Sequence, residues 1–288
     1  MSAFRPPRQS LPKFTDRLSL GTQGLTVSPF CLGMTGSPSV VSTAFDAGIN
    51  FFFITTDMHW PLYEQVRQGL KDLLRRPGVR DEIVVAAVCY PTQPEFCSMP
   101  FTEVLNEIPE LERIDLLIAG GAYAVEFADR QPIYEQHRQS AFAGAKAIGA
   151  TFHDRKAAVS AVKANNVDIA YIRYNPGHPG ARKDVFPKLT TSPTLLFNFK
   201  STMSFVPSAE LEALGMSEDD YWHPAITDHY RFALSSPELD GLLISMKTPQ
   251  EIEALSAALE HGPLDADEEQ CLMDISLLVN GAAKIDRK

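Results

Sequence analysis

Uninterrupted apolar stretches recur along the chain, and a helix-type pattern follows each of them. Parallel sheets covered by helices on both faces require strands of this kind. Eight strand–helix units in one chain predict a (β/α)₈ barrel, and no G-x-G-x-x-G sequence follows any strand to favour a doubly wound dinucleotide-binding sheet. The predicted strands are rich in β-branched and aromatic residues and cover 29–33, 49–55, 82–90, 114–120, 145–152, 167–175, 194–200 and 241–247.

Two segments precede these units. Residues 17–30 alternate between apolar and polar positions around the turn from Gly21 to Gly24, which predicts a β-hairpin. Residues 1–16 are rich in Pro and Arg and lack the apolar core of a secretory signal. We interpret residues 1–16 as a strap or a mobile tail and residues 17–288 as a single barrel domain.

Composition narrows the class of partner. The chain has 288 residues, 44% of them hydrophobic and 22% charged, which is typical of a globular protein. The net charge of −10 argues against a nucleic-acid partner, and the absence of an apolar run of 18 residues argues against a membrane span. The four cysteines form no C-x-x-C pair, so a reduced, cytoplasmic protein without structural zinc is expected.

The stretch from Gly48 to Leu70 is the most informative. It begins as a buried strand, GINFFFITT, and ends as an amphipathic helix. Between them lies the polar and aromatic turn DMHWP, at the carboxyl end of the strand. In parallel α/β proteins, ligands bind at this end of the strands.

Several segments together resemble the aldo-keto reductases. GINFFFITT is similar to the second barrel strand of that family, and RIDLLIAGG is similar to its fourth. RLSLGTQGLTVSPFCLGM resembles its N-terminal hairpin and first strand, and residues 148–176 and 231–272 resemble later parts of its barrel. RYNPGHPGARKDVFP further resembles a poorly characterised branch of the family. The resemblance covers roughly residues 17–275 and implies a barrel that transfers hydride from NADPH to a carbonyl, with a Tyr as proton donor assisted by an Asp–Lys pair and a His.

The four residues of that tetrad are expected to be absent here. Matching GINFFF to the family pattern puts Phe53 at the Asp position and Met58 at the Tyr position. Counting back from Glu64 gives Thr55 and Trp60 instead, and an insertion would be needed for Asp57 and Tyr63 to serve. The resemblance puts Val88 at the position of the Lys and Gly120 at the position of the His.

The cofactor region also departs from the family pattern. Tyr171 stands where the resemblance implies a Gln under the nicotinamide, and Gln250 and Ala254 replace an expected Arg and Asn. Thr248, Pro249 and Glu251 predict a helix start with a capping box. Lys247 and Thr248 are therefore only a weak candidate anion site, and acidic Glu251 and Glu253 disfavour the 2′-phosphate of NADP(H). We expect no cofactor, with NADP(H) as a doubtful alternative.

Other polar residues are candidates for the chemistry. Asp57 and His59 follow the second barrel strand and suit proton transfer. Arg173 points inward if Tyr171 does, because side chains alternate along a strand, and it suits anion binding. His178 on the next loop suits anion binding and acid assistance. A salt bridge for Arg173 and a surface position for His178 are the alternatives, and a metal site joining His153 to Asp57 and His59 is not favoured.

The predicted pocket combines apolar surface with one further cation. Lys200 ends the seventh strand and suits imine or enolate chemistry, or a simple ion pair. Cys89 is interpreted as a buried thiol. The long loop after Lys200 could form a lid. The predicted pocket residues are Phe53, Met58, Trp60, Tyr171, Lys200 and Trp222.

Three functional hypotheses follow. The leading one is a diverged aldo-keto-reductase-like barrel that acts on a small organic molecule by non-redox acid–base chemistry, as an isomerase, lyase, cyclase or hydrolase. The second is an NAD(P)H-dependent oxidoreductase with a non-standard site. The third is a non-catalytic binding or scaffold protein. The sequence leaves the substrate and the oligomeric state open.

Overall fold

The computed structural model describes residues 5–189 and 192–285, with side chains described as far as residue 279. Eight parallel strands close into a barrel in which each strand pairs with the next along the chain and the last pairs with the first. This arrangement confirms the predicted (β/α)₈ fold. The barrel strands are β3 (Phe30–Thr35), β4 (Phe51–Ile54), β5 (Val84–Cys89), β6 (Leu116–Ala122), β7 (Ala147–Phe152), β8 (Ile169–Arg173), β9 (Leu195–Phe199) and β10 (Gly241–Met246).

The predicted hairpin is also present. Strands β1 (Leu18–Leu20) and β2 (Leu25–Val27) pair antiparallel. The helices of the described chain are α1 (Ser39–Asp46), α2 (Glu64–Leu73), α3 (Val79–Glu82), α4 (Met99–Glu107), α5 (Ala124–Gln139), α6 (Arg155–Lys163), α7 (Ala181–Asp184), α8 (Ser208–Ala213), α9 (Ile226–Ser235), α10 (Pro249–Leu259) and α11 (Ala266–Ile285).

Helix α5 differs from its prediction. The pattern predicts a helix over 134–145, but α5 begins at Ala124 and passes through Pro132. A proline disfavours a helix interior because it lacks an N–H group and its ring crowds the preceding turn. Burial offsets this cost, since Phe127 packs edge-to-face on Phe152 and Tyr134 packs on Phe101.

The start of α10 is also a partial correction. Thr248 is the N-cap residue and Pro249 the first helical residue, as predicted, but the Thr248 hydroxyl makes no capping hydrogen bond. The Glu251 carboxylate instead accepts a 2.6 Å hydrogen bond from the N–H of Lys247. The predicted capping box is therefore wrong for Thr248, whose hydroxyl forms no capping bond. Glu251 does accept a backbone hydrogen bond, but from Lys247 and not from the N-cap residue.

Aromatic rings fill the barrel interior. Phe51 packs edge-to-face on Phe197, Phe197 on Tyr171, and Tyr171 on Phe53, with ring centroids 5.7–5.9 Å apart. Phe53 in turn contacts Tyr63 at 6.1 Å. Burial of a Phe ring away from water stabilises the folded state by about 1.5–3 kcal/mol. The column makes the barrel a packed core that ends in aromatic rings at the carboxyl ends of the strands.

Residues of the N-terminal segment lie against the opposite, amino-terminal end of the barrel. Arg5 forms a 2.7 Å ion pair with Asp240, and Arg8 donates to the Leu239 carbonyl at 2.5 Å. Phe14 packs edge-to-face on Phe30 at 4.8 Å. These contacts cover the starts of β3 and β10, so the carboxyl ends of the strands are the end left open for a ligand.

Candidate functional site

A cavity of about 630 Å³ opens at the carboxyl ends of the strands. We call it the mouth cavity. Ligand sites of (β/α)₈ enzymes lie at this end of the barrel. Its lining is largely apolar and aromatic, with a few polar groups, as in a typical small-molecule site. Its lining includes Phe53, His59, Tyr63, Tyr90, Thr151, His153, Phe199 and Lys200.

The aromatic column forms the floor of this cavity. Phe53, in β4, lines it while remaining almost fully buried. Tyr171 lies one layer deeper, is fully buried and donates a hydrogen bond from its hydroxyl to Cys31 Sγ at 3.7 Å. Burial raises the pKa of Tyr171 well above its usual value, so the phenol stays protonated. Of these two predicted pocket residues, Phe53 contacts the cavity and Tyr171 supports it from below.

Two tyrosines form the polar part of one wall. Tyr63, after β4, and Tyr90, after β5, both line the cavity. Burial raises the pKa of Tyr63 well above 10, and burial together with nearby Asp57 raises the pKa of Tyr90 to about 12. Both phenols are therefore neutral hydrogen-bond donors near neutral pH.

Sequence reasoning did not select Tyr90. The available signal was its position as the last residue of the predicted strand 82–90, at the end where ligands bind. What brings it beside Tyr63 is the closure of the barrel, since β5 pairs with β4. Tyr63, considered only together with an insertion, lies at the end of a short 3₁₀ helix, Trp60–Tyr63.

Asp57 fixes this wall in place. Its side chain is only 7% exposed, and Oδ2 accepts a 2.6 Å hydrogen bond from the N–H of Tyr90. Oδ1 accepts from the N–H of His59 at 3.4 Å and lies 3.9 Å from His59 Nδ1. The carboxylate thus joins the loop after β4 to the end of β5 and lies beside the imidazole of His59.

His59 is the exposed member of this group. Its ring packs on Tyr90 with centroids 4.1 Å apart, and its side chain is 39% exposed at the cavity. The sequence prediction that Asp57 and His59 lie together therefore agrees with the geometry. Asp57 is engaged by backbone N–H groups, whereas His59 is free to contact a ligand.

Basic residues end or follow three neighbouring strands on the opposite side of the barrel. Arg173 ends β8, Lys200 directly follows β9, and His153 directly follows β7. Desolvation, then Lys200 and Arg173, lower the pKa of His153. Desolvation, then Arg173, Arg155 and Lys200, lower the pKa of His178. Arg173 pairs in register with Phe199, the residue before Lys200, so the two cations lie at the ends of adjacent strands.

These two cations lack acidic partners in the described part of the chain. Arg155 is paired with Asp184 at 2.8 Å, but neither Arg173 nor Lys200 forms an ion pair with a described carboxylate. The ion-pair alternatives for Arg173 and Lys200 thus find no support among these residues. Close cations without counter-charge are unfavourable to each other and attract an anion.

The backbone holds Lys200 in a conformation that normally favours glycine. Its φ angle is +60°, in the left-handed region where a side chain costs roughly 1 kcal/mol. Asn175 supports this conformation, because its Nδ2 donates to the Lys200 carbonyl at 2.8 Å. The Oδ1 of the same Asn175 lies 3.1 Å from His178 Nδ1, so one amide positions both Lys200 and His178.

A second depression of about 600 Å³ adjoins the mouth cavity. We call it the side cleft; it lies between the loop after β4 and the segment from Tyr90 to α4. Met58 and Trp60, predicted as pocket residues, line the side cleft and are not on the mouth cavity lining. Trp222, the other predicted aromatic, packs partly buried against the core and lines neither.

The weak anion site at α10 is unfavourable. Lys247 and Thr248 are both exposed. The Glu251 carboxylate occupies the N–H of Lys247, a donor that a phosphate would need. A phosphate here would therefore meet a negative charge at the helix start.

No cluster of three or more metal-ligating side chains occurs within residues 5–189 and 192–279. Over the same stretch, no helix is long and apolar enough to cross a membrane. All four cysteines are free thiols, and Cys89 is buried, as interpreted.

Comparison with known proteins identifies the fold. No protein-family model and no curated protein matches the chain. Solved structures match over almost the whole length. The aldo-keto reductase AKR11C1 from Bacillus halodurans in its holo form aligns with a TM-score of 0.71 at 16% identity, covering 91% of this chain and 96% of that one.

Two further structures agree. An aldo/keto reductase from Brucella melitensis aligns with a TM-score of 0.60 at 13% identity, covering 92% of this chain and 100% of that one. The aldo-keto reductase MGS-M4 from a Medee basin deep-sea metagenome library aligns at 0.64 and 14% identity, covering 90% and 94%. The resemblance inferred from sequence is confirmed for the fold, and at these identities it extends to the fold alone.

The residues at the implied tetrad positions are apolar in this structure. Phe53 and Val88 are buried, and Gly120 lies in β6. A Cβ atom added at Gly120 would lie 2.6 Å from Cδ1 of Tyr90. A His at this position is therefore incompatible with the observed Tyr90 ring. That the chain lacks the catalytic function of the tetrad remains a prediction.

Proposed function

We propose that the mouth cavity binds a small organic anion and transforms it by acid–base chemistry without hydride transfer. One observation carries this proposal: Lys200 lines a cavity of about 630 Å³, Arg173 ends the adjoining strand in register with Phe199, and neither cation has a carboxylate partner in the described chain. A bound carboxylate or phosphate would supply the missing counter-charge. The guanidinium of Arg173 suits bidentate binding of such a group.

The groups on the facing wall supply the chemistry. His59, whose backbone N–H is bonded to Asp57, is the candidate base that removes a proton from a carbon atom of the ligand. Tyr90, on the same wall as Tyr63, is the candidate donor to the oxygen on which negative charge then develops. Proton removal beside a carbonyl, followed by reprotonation or loss of a leaving group, corresponds to an isomerase or a lyase.

The residues at the ends of β7, β8 and β9 and on the loop after β8 take their roles from their positions. Lys200 and Arg173 hold the anion, and His178 assists them. His153, whose pKa is lowered, is a neutral imidazole near pH 7 and is a second candidate base. Asp57 is a positioning residue in this scheme because both of its oxygens face backbone N–H groups.

The fold supports a second candidate, an NAD(P)H-dependent oxidoreductase with a non-standard site. Its matched structures carry the name aldo-keto reductase. Tyr90 is also of the residue type that the sequence resemblance implies as proton donor. The acidic start of α10 is the observation against it, because Glu251 would repel the phosphates of the cofactor.

A direct comparison of ligands separates the two. Intrinsic fluorescence is monitored during separate titrations with NADPH and with butanoate, a minimal carboxylate probe. The proposal expects saturable butanoate binding that Lys200→Gln weakens, and no NADPH binding at millimolar concentration. Micromolar NADPH affinity with no butanoate binding would overturn it in favour of the reductase.

The scaffold hypothesis requires a different readout. If the protein is a non-catalytic binding protein, replacement of His59 by Gln leaves its biological role intact, because the fold and the cations remain. Loss of that role with retained butanoate binding would support the acid–base proposal instead.

A further inference from the structure

The side cleft concentrates exposed apolar side chains in one place. Met58 is 76% exposed, and Trp60, Phe96 and Met99 are each about half exposed, yet all four line the same depression of about 600 Å³. Singly exposed apolar side chains are normal on a protein surface, whereas a concave cluster of them marks a binding site.

Trp60 is a preorganised platform within this cleft. The Arg67 guanidinium donates a 2.6 Å hydrogen bond to the Trp60 carbonyl, and its Cζ lies 5.6 Å from the indole centroid. Arg67 is itself buried and bonded to Glu107 at 2.9 Å and to the Thr55 carbonyl at 3.0 Å. An indole fixed before binding lowers the ordering cost of the complex. Met58 and Met99 beside it are flexible and can adapt to an apolar ligand.

The side cleft is continuous with the mouth cavity. Tyr90 lines both depressions, and the His59 and Tyr90 rings, which pack at an interplanar angle of 47°, form the ridge between them. One extended molecule can therefore contact the catalytic wall and the cleft together.

Charge fixes the orientation of such a molecule. The charged residues that line the cleft are Asp57 and Glu103, both acidic, and no Lys or Arg lines it. Glu103 is engaged by the Thr56 hydroxyl at 3.3 Å. The cleft thus repels an anionic group, while Lys200 and Arg173 attract one at the far side of the mouth cavity.

We propose that the ligand is an amphipathic carboxylate whose anionic end lies at Lys200 and Arg173 and whose apolar arm, an alkyl chain or aryl ring, lies in the side cleft. The position of the anionic end rests on the proposed function. The position of the apolar arm rests on the cleft itself.

Chain length is the variable that tests the arm. Binding of unbranched carboxylates from butanoate to decanoate is measured by isothermal titration calorimetry. Removal of a methylene group from water is worth about 0.8 kcal/mol, so affinity should rise up to about fourfold per methylene once the chain passes the ridge. The rise should stop when the cleft is filled.

Matched variants locate the effect. Phe96→Ser and Met99→Ser should flatten the dependence on chain length and leave butanoate affinity unchanged. Leu277→Ser, at an exposed apolar residue of α11, is the control and should leave the dependence unchanged. Lys200→Gln should weaken every length by a similar factor, and thermal unfolding should confirm that each variant is folded.

The outcomes are distinguishable. Equal affinity for butanoate and decanoate in the natural protein, or an unchanged length dependence in both cleft variants, would overturn the cleft proposal and leave the proposed function standing. Failure of every carboxylate to bind at millimolar concentration would overturn both.

Discussion

The two ends of the barrel differ in whether their charged side chains have partners of opposite charge. At the amino-terminal end, Asp115, Asp168 and Asp240 directly precede β6, β8 and β10, and each accepts a hydrogen bond from the N–H of a residue on a neighbouring strand. Each also pairs with an arginine: Arg80, Arg138 and Arg5 respectively. At the carboxyl end, Arg173 and Lys200 have no acidic partner in the described chain.

This contact, in which the side chain before a strand accepts a hydrogen bond from a neighbouring backbone N–H group, recurs at every second strand; we call it the amino-terminal device. Asn50 precedes β4 and accepts from the N–H of Ser28, and the three aspartates repeat this contact at 2.8–2.9 Å. These bonds tie the strand starts together and satisfy buried groups, which is a stabilising role. The difference teaches that charge at one end maintains the fold, whereas charge at the other end is left available for a ligand.

The largest expected effect comes from breaking the amino-terminal device. Asp115 is buried, accepts from the Val85 N–H and pairs with Arg80 and Arg113. Asp115→Ala leaves the Val85 N–H group and the largely buried Arg80 guanidinium without their carboxylate partner, so it should lower the free energy of unfolding by about 3–5 kcal/mol. Urea unfolding measures this loss. Asp81→Ala, at a carboxylate that is 83% exposed, is the control and should change stability by less than about 1 kcal/mol.

Gly120→Ala should damage the carboxyl end. The added Cβ atom would lie 2.6 Å from the Tyr90 ring, so the ring must move or the strand must shift, at a cost of about 1–3 kcal/mol. Carboxylate affinity should fall as well because Tyr90 lines the mouth cavity. A shift in urea midpoint alone, with butanoate affinity unchanged, would show that Tyr90 does not contact the ligand.

Lys200→Gly should lower carboxylate affinity without lowering stability. Glycine relieves the left-handed backbone strain at φ +60°, so the free energy of unfolding should stay constant or rise by up to about 1 kcal/mol. Carboxylate affinity should fall roughly tenfold, as expected for loss of one charge-assisted contact. A variant that loses stability and keeps its affinity would assign Lys200 to the fold instead.

The smallest expected effect is a pH dependence of binding. Desolvation and nearby cations lower the pKa values of His153 and His178 in the free protein, and a bound anion would raise them again. Binding should therefore take up protons, and butanoate affinity should rise a few-fold as the pH falls from 7.5 to 5.5. Calorimetry in buffers of different ionisation enthalpy reports this uptake. His153→Gln should reduce it, and proton release on binding would contradict the account.

Much of the fold could be predicted because strands buried on both faces leave a strong apolar signal. Six of the eight barrel strands fall within their predicted ranges. The other two, β3 and β6, end two residues beyond the predicted ends. Helix α5 was mispredicted because Pro132 masks a helix that tertiary packing stabilises. The pairing of Asp115 with Arg80 follows from barrel closure and is not visible in local pattern.

The site was predictable only in part. Strand-end position and alternation located Asp57, His59, Arg173 and Lys200 near the barrel mouth. Their partners depend on register and loop path: the Asp57 carboxylate bonds Tyr90, and Met58 and Trp60 turn into the side cleft. Whether a cation has an acidic neighbour is a three-dimensional property, and the absence of one at Lys200 and Arg173 required the structure.

The most direct test of the central claim is the affinity of the Lys200→Gln, Arg173→Gln double variant for decanoate, measured by calorimetry beside the natural protein. Loss of two charge-assisted contacts predicts a decrease of roughly 100-fold, with the free energy of unfolding unchanged within about 1 kcal/mol. Equal affinity of the two proteins for decanoate would contradict the account.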